Sequence, residues 1–188
     1  NYSPFQRMAV EFFEDSRGLG EKDASIALGV IALGAGALGN TLSGFIGDRL
    51  SKRYKGVYAT MAGISYLVGW PCLLVGFLAH SRWVFLPALT LGAFCIFLCM
   101  PAVNTQIANV THPSRRAMAW AMAVFVLHLL GDTLTPPIFG WVLEFTSRQT
   151  AFVLFSTALI PAGICCLLAA RTTARDMERA AEGAPQQH

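Results

Sequence analysis

The chain has 188 residues, of which 54% are apolar and only 13% charged, and its mean hydropathy is +0.51. A typical soluble chain is roughly 25% charged; this one has too few charges to coat a globular surface, and so apolar a composition also excludes intrinsic disorder. The net charge of +3 is small and spread along the chain, which excludes a nucleic-acid-binding domain.

In chain order, the polypeptide begins at Asn1 in mid-pattern, with neither an initiator Met nor a signal peptide, and reads as a fragment whose N-terminal part is missing. Residues 1–22 hold Tyr2, Phe5, Phe12 and Phe13, then Glu14-Asp15-Ser16-Arg17: the end of a truncated helix and an outer loop. Residues 23–171 predict a bundle of five transmembrane helices. A membrane-spanning helix needs about 20 mostly apolar residues. The stretches 24–46, 57–79, 83–110 and 151–170 carry no charge, and 117–143 carries only the ionisable His128 and Asp132. Five such stretches in a row are not plausible outside lipid, so the fold class is an all-α polytopic membrane bundle. Residues 172–188 read as a solvated polar tail, at most briefly helical. The five cysteines, Cys72, Cys95, Cys99, Cys165 and Cys166, all sit in apolar runs and read as small packing residues.

Orientation follows from Lys and Arg in the short connections. Arg49, Lys52, Arg53, Lys55, Arg115, Arg116, Arg171, Arg175 and Arg179 lie on one side; Arg7, Arg17, Lys22, Arg82 and Arg148 lie on the other. The richer side is expected to be cytoplasmic, and the C-terminus with it.

Two motifs stand out. Gly44-Phe-Ile-Gly47-Asp48-Arg49-Leu-Ser51-Lys52-Arg53 closes the first complete span. Its glycines allow close backbone approach, and Asp48 can accept from a helix N-terminus or pair with a base. The same residues would also serve as a basic cluster that only sets topology. The second motif is Pro113-Ser-Arg115-Arg116-Ala117-Met-Ala119, followed by His128-Leu-Leu-Gly131-Asp132 and Thr135-Pro136-Pro137. His128 and Asp132 are four apart and share a helix face. A charge in mid-bilayer costs roughly 2.5–3.5 kcal/mol, so the pair should not face lipid. It reads either as a proton-sensitive pair lining a cavity or as a helix–helix or gate contact. Pro136-Pro137 interrupt the helix and free backbone carbonyls. Asn40, Asn104, Gln106 and Thr135 are candidates for polar contacts, either between helices or into a cavity.

The first motif resembles the loop signature of the major facilitator superfamily, G-x-x-x-D-R-x-G-R-R, with Ser51 where a glycine is usual. The second resembles the spinster branch of that superfamily, with its P-x-R-R-A-x-A and H-L-L-G-D elements. The resemblance implies helices 7–12 of a twelve-helix secondary active transporter working by alternating access. It also implies a gating role for Gly44, Asp48, Arg49, Lys52 and Arg53. The expected activity is gradient-coupled export of a small amphiphilic or organic solute, of lysolipid type. Another subfamily for drugs or organic anions, or a channel or receptor half, is the alternative. The expected partners are the missing N-terminal half, membrane lipids and a small-molecule substrate, in a bacterial inner membrane and without nucleic acid. Neither cofactor nor metal is implied. No second intramembrane aspartate accompanies Asp132, and no H-E-x-x-H, serine elbow or phosphate loop occurs, so the chain is not read as an enzyme.

Overall fold

The computed structural model describes residues 21–79 and 81–182, and within them the chain is all-helical, with no strand. The helices are α1 (Glu21–Ser51), α2 (Val57–Leu78), α3 (Arg82–Val110), α4 (Arg116–Val126), α5 (Thr135–Phe145), α6 (Arg148–Ser156) and α7 (Leu159–Glu182). A 3₁₀ turn, Pro113–Arg115, leads into α4, and a π-helical segment, Leu127–Leu134, joins α4 to α5. Five continuous stretches are long and apolar enough to cross a membrane: Ser25–Ser51, Val57–Leu78, Trp83–Val110, Pro113–Phe145 and Arg148–Ala181. Lipid offers the backbone no hydrogen-bond partner, so uncharged runs of this length settle into helices that bond internally.

The core forms where α2 packs against α3 and α7, and α1 lies along α3. Small residues set these crossings. A Cβ added at Gly63 would stand 2.9 Å from the Gly163 carbonyl oxygen, so α2 and α7 touch backbone to backbone. Val57, Tyr58, Ala62, Cys99 and Ala102 form one buried cluster between α2 and α3, which confirms the packing role of Cys99. Large apolar side chains point outward, among them Leu33 and Trp83, as a lipid-facing surface requires.

Two details depart from the sequence reading. The fifth span breaks at Thr157–Ala158. Pro161 has no N–H to give the Thr157 carbonyl, and Ile160 N–H donates there instead at 3.0 Å, in a tighter turn. The polar segment expected as a separate tail from residue 172 is, up to Glu182, a direct continuation of α7. It is docked rather than solvated throughout: Thr173 is fully buried, and Gln106 Nε2 donates to its Oγ1 at 2.7 Å. The expected truncated helix and loop over 1–22 lie outside the described residues, except that Glu21 and Lys22 open α1.

The fourth span is attached at its ends. It turns off α3 through the 3₁₀ turn, and at the far end Phe139 is buried against Ala151 and Phe152. Phe139 stands edge-on to Phe152 and Phe155 at 5.0 and 5.1 Å, and Phe77 of α2 stacks on Phe152 at 5.3 Å. Between these anchors no residue of α4 or of the π segment is buried.

Candidate functional site: a motif loop and an unpartnered polar pair

The first motif occupies the C-terminal turns of α1 and the short turn into α2. The Tyr58 hydroxyl, at the start of α2, donates to Asp48 Oδ1 at 2.6 Å. Gly47 lies directly beneath the Tyr58 ring, where an added Cβ would collide with Tyr58 Cε1 and stand 3.0 Å from Cδ1. Ser51, in place of the usual glycine, spends its hydroxyl on the Asp48 carbonyl at 3.0 Å and so closes the helix end. Arg49, Lys52 and Arg53 are exposed. Gly44 has open space beside it, so the close approach expected of both glycines occurs at Gly47 alone. Among the described residues, Asp48 therefore finds a phenol rather than a base or a helix N-terminus. Tyr58 escaped the sequence reading because ten residues and a turn separate it from Asp48, and no periodicity links them.

His128 and Asp132 both fall in the π segment. Their Nδ1 and Oδ2 atoms are 2.5 Å apart, and their side chains are 62% and 70% exposed. The cause of the π geometry is local. Pro136 and Pro137 cannot donate to the preceding turn, and the helix widens around the freed carbonyls. Hydroxyls five residues on reach back into the widened turns: Thr133 Oγ1 to the His128 carbonyl and Thr135 Oγ1 to the Leu130 carbonyl, each at 3.2 Å. The pair is satisfied by itself, yet the face that carries it is covered by no other described element.

The remaining candidates do not converge. Asn40 and Asn104 are exposed on α1 and α3. Gln106 is tied to Thr173, and Thr135 is committed to its own helix. Among the described residues no three His, Cys, Asp or Glu side chains gather as a metal site would require.

The loop 47–56, the turn after α3 and the last turns of α7 meet at one end of the bundle. Lys55 Nζ lies 3.6 Å from Glu178 Oε1, and the Tyr54 hydroxyl donates to the Ala170 carbonyl at 3.5 Å. The opposite end carries the exposed Trp83 and Trp141, and there Gln149 Nε2 donates to the Phe77 carbonyl at 2.8 Å.

Comparison with known proteins places this architecture. The family model of the Major Facilitator Superfamily matches residues 6–187. The chain is 26% identical over 145 residues to "Probable sphingolipid transporter spinster homolog 3" of Arabidopsis thaliana, covering 76% of this chain and 28% of that protein. It is 32% identical over 127 residues to "Protein spinster" of Drosophila melanogaster, covering 66% of this chain and 21% of that protein. The chain thus spans less than a third of the length of these relatives.

Proposed function

This chain belongs to the major facilitator superfamily, and from that premise we propose that it forms one half of a secondary active transporter of the spinster type, not an enzyme. A second six-helix bundle of the same polypeptide packs over the free face of the fourth span. The substrate binds between the halves near mid-membrane, and transport proceeds by rocking them around that site. The observation that carries the proposal is the exposed His128–Asp132 pair on a helix that the described residues hold only at its ends. Two ionisable groups at that depth are too costly to leave in lipid, so the face needs a protein or water-lined partner.

The likeness to named sphingolipid transporters supports an amphiphilic substrate with one polar head, and its export is coupled to a gradient. The basic end of the bundle lies on the cytoplasmic side of a bacterial inner membrane, in keeping with the excess of Lys and Arg there. A cysteine at Ser81, at the Trp83 end, should react with an impermeant thiol reagent in intact cells, whereas one at Arg175 should not. The reverse pattern would overturn the topology.

The activity is tested with full-length protein in proteoliposomes. A fluorescent lysophospholipid should move when a proton gradient is imposed and stop when it is collapsed. Flux indifferent to the gradient overturns the coupling. Absence of flux for lysophospholipids, alongside flux of hydrophilic drugs or organic anions, overturns the substrate class.

A further inference from the structure

Two adjoining cavities open at the basic end of the bundle, between the turn that follows α3 and the last turns of α7. The narrower, of about 390 Å3, is lined by His112, Ser114, Arg115 and Arg179; the wider, of about 440 Å3, shares His112, Arg115 and Arg179 and adds Val110 and Asp176. The two cavities share only Ser114 and Arg115 with the second motif and no residue with the loop signature. Among the described residues, neither Arg115 nor Arg179 has a carboxylate within ion-pair distance, although Asp176 lines the wider cavity. Arg116, next in sequence, is engaged elsewhere, with Nε donating to the Thr111 carbonyl at 3.3 Å.

His112 is held in the cavity wall by Ser114. The Ser114 backbone N–H donates to its Nδ1 at 3.3 Å, and the Ser114 hydroxyl lies 2.7 Å from the same atom. With Nδ1 accepting, the neutral ring carries its proton on Nε2. That atom is shielded from solvent and has no partner among the described residues. The narrower cavity thus gathers two arginine side chains, beside a Ser114 hydroxyl spent on His112 Nδ1. Guanidinium forks match the oxygens of a phosphate bidentately.

Depth narrows the source. Val110 ends one membrane-length helix and Pro113 begins the next, so the cavities lie where the apolar spans give way to the headgroup layer. Basic pockets between spans at that level recognise anionic headgroups. We propose that Arg115 and Arg179, on a wall shaped by His112 and Ser114, form a binding site for the phosphate of an anionic membrane lipid, seated between the α3–α4 turn and α7. The site holds the C-terminal helix to the bundle from outside the transport pathway. It depends on the chain lying in a membrane and not on any transported substrate, so failure of one leaves the other standing.

Thermal unfolding of the full-length protein in nonionic detergent tests the site, with added phosphatidylglycerol or inorganic phosphate as probe. Phosphatidylglycerol should raise the unfolding midpoint saturably, and Arg115→Gln combined with Arg179→Gln should weaken its apparent affinity about tenfold. Arg175→Gln, a change of equal charge on the same helix but outside the cavities, should leave it unaltered. Asp176→Asn, which removes the one opposing charge, should tighten it. Inorganic phosphate acting as strongly as the lipid, with the same response to the variants, would assign the site to a soluble phosphate and overturn the lipid source. If neither probe distinguishes the double variant from the parent, the phosphate site is overturned. Should the double variant fail to fold, unchanged affinity in Asp176→Asn overturns it equally.

Discussion

The Tyr58 hydroxyl donates to the Asp48 carboxylate at 2.6 Å, bridging the end of α1 and the start of α2 across the motif turn. The carboxylate is exposed while the ring beneath is buried in the α2–α3 cluster. The acid is therefore aimed by a residue that cannot itself move without disturbing the core.

Asp48→Asn should slow transport severalfold more than it lowers protein abundance, because a residue governs alternating access only by stabilising one end state over the other. Tyr58→Phe should keep the packing, lose one hydrogen bond to a charged group worth about 1.5 kcal/mol, and reproduce part of the Asp48→Asn defect. Transport rates normalised to protein level check this. Wild-type rates in both variants would leave the loop a topology signal alone.

Gly47→Ala should destabilise the protein by about 1–3 kcal/mol, since the new methyl meets the Tyr58 ring inside a packed cluster. Shrinking that ring should relieve the clash, so Gly47→Ala with Tyr58→Leu should be less damaging than the sum of the single changes. Midpoints of thermal unfolding for the four proteins decide it; strict additivity would mean that the ring is not the obstacle.

Thr173→Val should cost about 1–3 kcal/mol by leaving the Gln106 amide buried without its acceptor. Gln106→Leu in the same chain removes the orphaned amide and should recover much of the loss. The readout is protease sensitivity of α7 beyond Ala170, which should rise in the single variant and fall back in the double.

Asp132→Asn and His128→Gln should act non-additively, because each removes the other's partner in a contact of 2.5 Å. A proton-carrying pair would leave Asp132→Asn folded but with transport indifferent to pH. A gate contact would lower melting temperature and activity together, and this is the expected outcome. A stable, fully active Asp132→Asn protein with unchanged pH dependence would exclude both roles.

The spans were legible because runs of uncharged residues this long have one stable form in lipid. The loop motif was legible as charges but not as contacts: Asp48 was marked, Tyr58 was not, since a turn between helices decides which side chains meet. The π segment lay hidden behind Pro136-Pro137, which announce an interruption without saying whether the helix will kink, break or widen. Pro161 carried a similar signal inside a run that reads as uninterrupted. The helical course of residues 172–182 was masked by its charges, and only the burial of Thr173 reveals a packed face there.

The fourth span behaves mechanically as a shaft with a coupling in its middle. Phe139 clamps one end in an aromatic cluster, and the 3₁₀ turn hinges the other. Turns of the π segment hold more residues than those on either side. A residue passing from a wide turn to a narrow one would twist α4 relative to α5 and lengthen the shaft. His128 and Asp132 ride on that coupling, so torsion along one helix would sweep their polar edge around its axis without any loop having to open.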